Sequence, residues 1–381
     1  MEYRELGNTG VKASVIGFGA EWMGDKTDEH VVDLMNFCQS EGINFLDCWM
    51  SDPVVRTKLG LGLKENREDW IIQGHIGATW QNNQYTRTRD MKHVKPAFED
   101  LLERLGTDYI DFGMIHYVDD LKDYKDAMEG EYIEYVRSLK ESGVIKHIGF
   151  STHNPEIGLL AASNPEVELL MFSINPAYDM FPVTDNIENY RDNTKYDGLA
   201  GRDPIREELY NKCKETNTAL TVMKGYAGGM LLNSEDSPFG VSLSPVQCIH
   251  YALSRPASCS IFVGIHDKDQ LKDALLYNTA TEEEKSYEDV LKNAPKHSYA
   301  GKCIYCGHCT PCAVEIPIPN VNKFYDLASA QDSVPESVAE HYNNLSHHAG
   351  ECIECGNCLA NCPFGVDIIE SMKKANDLFG L

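Results

Sequence analysis

Between residues 15 and about 280, short apolar runs alternate with amphipathic stretches, and that alternation limits the fold more than any other feature. The runs are VIGFG (15–19), INFLD (43–47), WIIQGH (70–75), YIDFGMIH (109–116), HIGF (147–150), ELLMFSI (168–174), ALTVM (219–223) and SIFVG (260–264). Between them lie segments such as DEHVVDLMNFCQSEG and HVKPAFEDLLERLG, whose apolar residues fall at i, i+3, i+4 and i+7, the helical spacing. Gly42, Gly106 and Gly143 stand where left-handed helix stops are expected. Eight alternating units predict an α/β fold, a parallel (β/α)8 TIM barrel. An open doubly wound sheet is the alternative, but no GxGxxG follows the first run, and the count of eight favours closure. Barrels of this kind do their chemistry at the carboxyl ends of the strands. That rule singles out Asp47, His75, His116 and the residues after Met223.

The last eighty or so residues obey a different constraint. Eight of the thirteen cysteines lie there in two runs, Cys303-x2-Cys306-x2-Cys309-x2-Cys312 and Cys352-x2-Cys355-x2-Cys358-x3-Cys362-Pro363. Thiolates three residues apart on a turning loop grip three corners of a 4Fe-4S cubane, and the fourth Cys of such a run binds the other cluster. The expected sets are therefore Cys303, Cys306, Cys309 and Cys362 for one cluster, and Cys312, Cys352, Cys355 and Cys358 for the second. Zinc also binds CxxC pairs, yet two four-cysteine runs and the trailing Cys-Pro favour clusters. Gly307 and Gly356, each just after a second Cys, let backbone N–H groups approach sulfide. With four thiolates per cluster no iron stays open to a substrate, so the clusters carry electrons or brace the fold. Too few apolar residues lie here for burial alone to fold the segment, and metal has to supply part of its stability. A polar stretch, NTATEEEKSYEDVLKNAPKHSYAG, precedes it. The expected division is a barrel over 1–285 and a ferredoxin-like α+β iron–sulfur domain over 286–381.

The remaining five cysteines, Cys38, Cys48, Cys213, Cys248 and Cys259, keep no ligand spacing and read mostly as small core residues. The start of the chain, MEYRELGNTG, is polar, and no apolar run approaches the length of a spanning helix. The expected address is the cytoplasm, where thirteen thiols stay reduced. A formal net charge of −25 repels nucleic acid and anionic membrane and favours basic partner surfaces. Exposed cubanes point weakly to an anaerobe.

The strings YRELGNTGVKASVIGFGA, EGINFLDC, LLERLGTDYIDFGMIH, SGVIKHIGFSTHN, MKGYAGGML and IFVGIHDKDQL, in this order, resemble the aldo/keto reductase superfamily, in its branch with a C-terminal ferredoxin-like domain. The resemblance covers almost the whole chain. It implies a barrel preceded by a β-hairpin, here residues 2–14, and an oxidoreductase reducing carbonyls with NAD(P)H through an Asp–Tyr–Lys–His tetrad. Asp47 stands at the Asp position and His116 at the His position. The Tyr position falls on Asp52, between Ser51 and Pro53, and the Lys position on His75, so half the tetrad is absent. A Tyr donor depends on a neighbouring cation, and what remains at the mouth is Asp47, His75 and His116. Asp47–His75 reads as an acid/base pair, with Tyr117 or Tyr85 as substitute phenols. The resemblance puts the nicotinamide amide near Ser151, Asn154 and Asn175, which equally suit helix capping. It puts the phosphates near Lys224, Gly225 and the loop from Gly264 to Lys268, where the usual Arg and Asn are missing. Trp22 either lines the mouth or packs.

Nicotinamide gives hydride, whereas a cubane accepts one electron at a time, and coupling the two needs a go-between such as a flavin. Three readings stand. In the first, an external ferredoxin or flavoprotein feeds the clusters, and a small-molecule substrate is reduced at the barrel mouth with protons from His75 or His116. The second is a lyase or isomerase running on Asp47–His75 with structural clusters; the third is an electron carrier with a degenerate barrel. Nothing in the loops names a substrate.

Overall fold

The computed structural model describes residues 1–184, 186–191, 203–329, 331 and 333–381. Among them twelve strands occur. In chain order they are β1 (Tyr3–Glu5), β2 (Lys12–Ser14), β3 (Ile16–Gly19), β4 (Phe45–Cys48), β5 (Ile71–Ile76), β6 (Ala78–Gln81), β7 (Gln84–Arg87), β8 (Ile110–Ile115), β9 (Ile145–Thr152), β10 (Leu169–Ser173), β11 (Ala219–Met223) and β12 (Ser258–Gly264). Eight of these, β3, β4, β5, β8, β9, β10, β11 and β12, pair in parallel and close on themselves between β12 and β3. Every predicted run lies in a barrel strand, and closure rules out the open sheet.

Two shells of apolar packing hold the barrel. Inside it, Phe45, Phe112, Met114, Leu169, Met171 and Phe262 interlock, with Leu6 and Ala13 from the β1–β2 hairpin added to them. Burying each phenylalanine stabilises the barrel by about 1.5–3 kcal/mol. Outside it, the helices bury Val, Ile and Leu against the strands. Five helices start with a side-chain cap followed at once by proline: Asp52-Pro53, Asn154-Pro155, Asn175-Pro176, Asp203-Pro204 and Ser244-Pro245. The cap supplies an acceptor to an orphan N–H, and proline at the first position costs none. Gly42, Gly106 and Gly143 take φ of 85°, 67° and 77°, the left-handed stops that the pattern predicts.

A second hairpin, β6–β7, occupies what the sequence suggested was a loop. Its turn, Asn82-Asn83, has both φ positive, at 52° and 60°, the conformation that matches strand twist in a two-residue hairpin.

The described residues beyond 285 form helices and loops with no strand, so the α+β character expected of this part is not found. The thiolate loops and the short helices beside them already consume the backbone that a strand would need. The junction expected at 285/286 falls between the short helices Glu282–Lys285 and Glu288–Lys292. One apolar cluster runs from the barrel into this region. The helix Ile318–Ser329 packs on both Ile368–Phe379 and the barrel helix Pro204–Thr216. Tyr299 donates its hydroxyl to the Pro176 carbonyl at 2.8 Å, just beyond β10. No helix among the described residues is long and apolar enough to cross a membrane.

Candidate active site

Parallel pairing of β4, β5 and β8 sets Asp47 beside Gln73 and His75 beside Met114, with His116 one residue past β8. Because side chains alternate along a strand, Gln73 and His75 share a face. Asp47 Oδ1 accepts from Gln73 Nε2 at 2.8 Å and meets His75 Nε2 at 3.0 Å. His75 Nδ1 lies 2.8 Å from His116 Nδ1, and His116 Nε2 lies 2.7 Å from the Tyr85 hydroxyl. Asp47, His75 and His116 are 2%, 3% and 4% exposed, whereas Tyr85 is half-buried. A single file of hydrogen bonds therefore runs from a buried carboxylate to a phenol within reach of solvent.

The inventory of donors orders that file. A carboxylate only accepts, and a neutral imidazole has one donor and one acceptor nitrogen. With both rings neutral, His75 donates Nε2–H to Asp47 and accepts at Nδ1. His116 then donates Nδ1–H to His75 and accepts the Tyr85 proton at Nε2. Burial, reinforced by His75, Arg89 and Arg87, holds the His116 pKa well below the ordinary histidine value. Burial also pushes the Tyr85 phenol up to about 12, against the pull of Arg87. Both shifts favour neutral groups.

Trp49 stacks on His116 with centroids 6.1 Å apart and meets Tyr85 edge-on at 5.4 Å. Arg89 donates to the His116 carbonyl at 2.6 Å, and Arg87 to that of Tyr117 at 2.6 Å. Both guanidiniums pair with Asp123. Ser51 ties the end of β4 to the hairpin by donating to the Thr79 carbonyl at 2.7 Å. Sequence reasoning named Tyr85 only as one of two phenols, because nothing in a polar stretch fixes where its residues fold back. It missed Gln73, which strand alternation with His75 would have found.

Asp52 caps the helix Pro53–Leu63 through Val54 N at 2.8 Å and is spent there. Other expected residues are similarly occupied. Ser151 accepts from Tyr117 N at 2.8 Å; Asn154 caps its helix and donates to the Asp119 carbonyl at 2.9 Å. Asn175 caps Pro176–Asp179 and donates to the Lys224 carbonyl at 2.8 Å. Lys224 lies 3.9 Å from Glu21, and Lys268 pairs with Asp33 at 2.7 Å. Gly225 is buried, and a Cβ there would come within 2.3 Å of Ile261. Gly264 is exposed beneath the Trp22 ring, which itself stacks on His266 at 5.0 Å. The side chains expected to hold a dinucleotide thus each have a partner within the protein, and those of Lys224 and Lys268 keep part of their surface open. Beyond them, Asp119 and His153 pair at 2.9 Å past the ends of β8 and β9.

The eight cysteines of the last segment rim two hollows. Cys303, Cys306, Cys309 and Cys362 line one of about 320 Å³, and Cys312, Cys352, Cys355 and Cys358 line another of about 380 Å³. Each hollow takes three sulfurs from one run and the fourth from the other. The two runs share one backbone feature: Tyr305 and Gly307, like Glu354 and Gly356, have φ between 51° and 83°. Alternation of this kind turns successive N–H groups toward one concavity, which suits an anionic group. Cys303 Sγ accepts from Asn322 Nδ2 and Tyr305 N at 3.3 and 3.4 Å, and Cys362 Sγ from Val366 N at 3.4 Å. Four thiols and an apolar lining fit a 4Fe-4S cluster in each hollow, and in the one lined by Cys303 and Cys362 donors are also aimed at sulfur. Among the described residues no three His, Cys, Asp or Glu side chains converge on a single-ion site. The other five cysteines are buried, and burial pushes Cys38 and Cys48 up to about 12.

Barrel, mouth and thiolate hollows together define a (β/α)8 protein joined to an iron–sulfur segment. The aldo/keto reductase family profile matches residues 15–244, and a 4Fe-4S dicluster domain matches 299–366. The chain belongs to the aldo/keto reductase family. It is 29% identical over 195 residues to the aldo-keto reductase YhdN of Bacillus subtilis, covering 48% of this chain and 55% of YhdN. With L-galactose dehydrogenase of Arabidopsis thaliana it shares 30% over 160 residues, 40% of this chain and 48% of that protein. The chain thus spans about half the length of these two relatives. The uncharacterized oxidoreductase YqkF of Bacillus subtilis is 25% identical over 307 residues, covering 74% and 94%. The holo structure of the aldo-keto reductase AKR11C1 from Bacillus halodurans shares the fold, with TM-score 0.58 at 23% identity over 75% of this chain and 94% of that one.

Proposed function

We propose that this chain is an iron–sulfur oxidoreductase that reduces a small organic carbonyl compound at the barrel mouth, with Tyr85 as the group that hands over the proton. What carries the reading is the unbroken file Asp47–His75–His116–Tyr85. The phenol that the resemblance expects at residue 52 is absent, and the β6–β7 hairpin supplies one that meets His116.

The file works in two protonation states. With both imidazoles neutral, every hydrogen points inward and the Tyr85 oxygen is set to take a proton. One added proton on His75 reverses the order: His75 Nδ1–H donates to His116, His116 Nε2–H donates to Tyr85, and the Tyr85 O–H turns outward. Delivery of that proton to a carbonyl oxygen restores the inward order in one concerted shift, with Asp47 stabilising the His75 imidazolium before transfer. Trp49 and the hairpin keep water off the inner rings, which keeps the file in register.

Cys303, Cys306, Cys309 and Cys362 would hold one 4Fe-4S cluster, and Cys312, Cys352, Cys355 and Cys358 a second. Bound clusters supply one-electron transfer. A net charge of −25 suits a donor with a basic face, of the ferredoxin or flavoprotein class. Thirteen reduced cysteines suit the cytoplasm.

Anaerobic purification followed by iron and sulfide assay tests the clusters, with about eight irons per chain expected. Optical titration with dithionite, NADH and NADPH then identifies the donor. Tyr85→Phe should retain iron, sulfide and fold while kcat falls about 10²- to 10⁴-fold, the span of general acid catalysis. Colourless protein, or a Tyr85→Phe variant as active as the parent, would end this reading.

A further inference from the structure

Asp119 and His153 follow neighbouring barrel strands at the catalytic end, β8 and β9, and no sequence feature assigned them a role. Asp119 Oδ2 meets His153 Nδ1 at 2.9 Å, while its Oδ1 accepts from His153 N at 2.7 Å and Thr152 Oγ1 at 2.9 Å. The carboxylate is 2% exposed, and the His153 side chain keeps 10% of its surface open. Among the described residues no partner engages His153 Nε2. The ring stands edge-on to Tyr117 with centroids 5.0 Å apart, and Tyr117 meets His116 edge-on at 6.0 Å. The dyad and the file thus flank one tyrosine.

We propose that His153, oriented by Asp119, is a second proton-handling residue of the barrel mouth, serving the same substrate as Tyr85 from the far side of Tyr117. Carboxylate on Nδ1 with Nε2 left open is the arrangement that fixes the tautomer and lets Nε2 exchange protons. Asp119 is itself held below the ordinary carboxylate range, its pairing with His153 outweighing burial. The other charged or titratable neighbours include Tyr117, His116, Tyr85 and the Arg87 guanidinium, 4.6 Å above the Tyr117 ring.

The proposal rests on the reading that the mouth reduces a carbonyl, and it explains why two proton sources are present. Hydride transfer to a carbonyl leaves one proton for the protein to supply. Reduction by single electrons needs two, because the carbonyl takes up two electrons and two protons to become the alcohol. A low-potential one-electron donor of the ferredoxin class provides the electrons. The C=O π bond breaks, Tyr85 protonates oxygen, and His153 protonates carbon from one face. His153 leaves as neutral imidazole and recovers its proton from water.

Two measurements on the full, cluster-loaded chain decide it. The first is modification with diethyl pyrocarbonate, read by peptide mass spectrometry, which needs no turnover. His153 should react at least ten-fold faster than His75 and His116, whose ring nitrogens are all engaged. A His153 as inert as those two overturns the proposal. The second is reduction of benzaldehyde in deuterium oxide with titanium(III) citrate as electron source. The expected product is benzyl alcohol carrying deuterium on carbon with one handedness. His153→Gln should lower kcat at least ten-fold and erase the handedness, with KM little changed. Equal rate and equal handedness in His153→Gln overturn this inference alone. Carbon-bound hydrogen traced to added labelled NADH or NADPH overturns the single-electron reading beneath it.

Discussion

His116 has both ring nitrogens hydrogen-bonded and an indole stacked on one face. Its folded pKa lies well below the ordinary value, so the unfolded chain takes a proton first as pH falls. Stability from this group is fully present above about pH 6.5 and is lost as pH drops from there toward the folded pKa. Thermal melts at successive pH values should show the loss starting near pH 6.5, and His116→Gln should flatten that part of the curve. Glu168, held at about 2 by His147 and Lys140 despite burial, gives its own loss only below about pH 4.5, so the two windows separate. At this scale the sequence already marked Asp47, His75 and His116, because a strand end in a barrel is a position that can be counted. Gln73 and His153 escaped notice because neither belongs to the tetrad that drew attention to its neighbours. Tyr85 could be nominated but not placed.

The element that places it is the β6–β7 hairpin. Its sequence, ATWQNNQYTR, carries only Ala78, Trp80 and Tyr85 as apolar or aromatic residues, all on one face, in strands of four residues too short for alternation to betray them. The turn signal was present in Asn82-Asn83, which tolerate left-handed backbone where most residues do not. Gly77, with φ of 100°, launches the hairpin, and a Cβ there would press on Arg89 at 2.7 Å and the Thr88 carbonyl at 3.0 Å. Replacing both turn asparagines with valine should cost about 1–2 kcal/mol for each residue forced left-handed. Hydrogen exchange should then rise across 78–87 with the barrel strands unchanged, and turnover should fall toward that of Tyr85→Phe. Asn83→Gly should leave both untouched. If the valine pair keeps full activity, the hairpin does not deliver the proton. The barrel strands, by contrast, were legible because each is an apolar run closed by a turn or a capped helix.

For the whole molecule, two constraints of different origin meet. The barrel showed itself in the periodicity of its apolar runs and the last segment in the spacing of its cysteines, although one apolar cluster runs through both. Cysteine spacing suggested the two sets of sulfurs that line the two hollows, but it carried no information on secondary structure, and no strand occurs among the described residues of that segment. Cys362→Ser should cost about half the iron, as Cys303→Ser should, although the two lie in different runs. Iron and sulfide assays on the two single variants and the double variant check this, since two residues serving one cluster give no further loss when combined. Chelation under argon should open 303–366 to protease while the barrel keeps its far-ultraviolet signal.

Because each hollow takes one sulfur from the other run, neither has its four sulfurs in a chain synthesised only through the first run. A ribosome pausing anywhere between Cys312 and Cys352 presents four thiols of which only three face one hollow. The two hollows are therefore linked in synthesis: the second run, which lies last in the chain, completes both sets of four sulfurs.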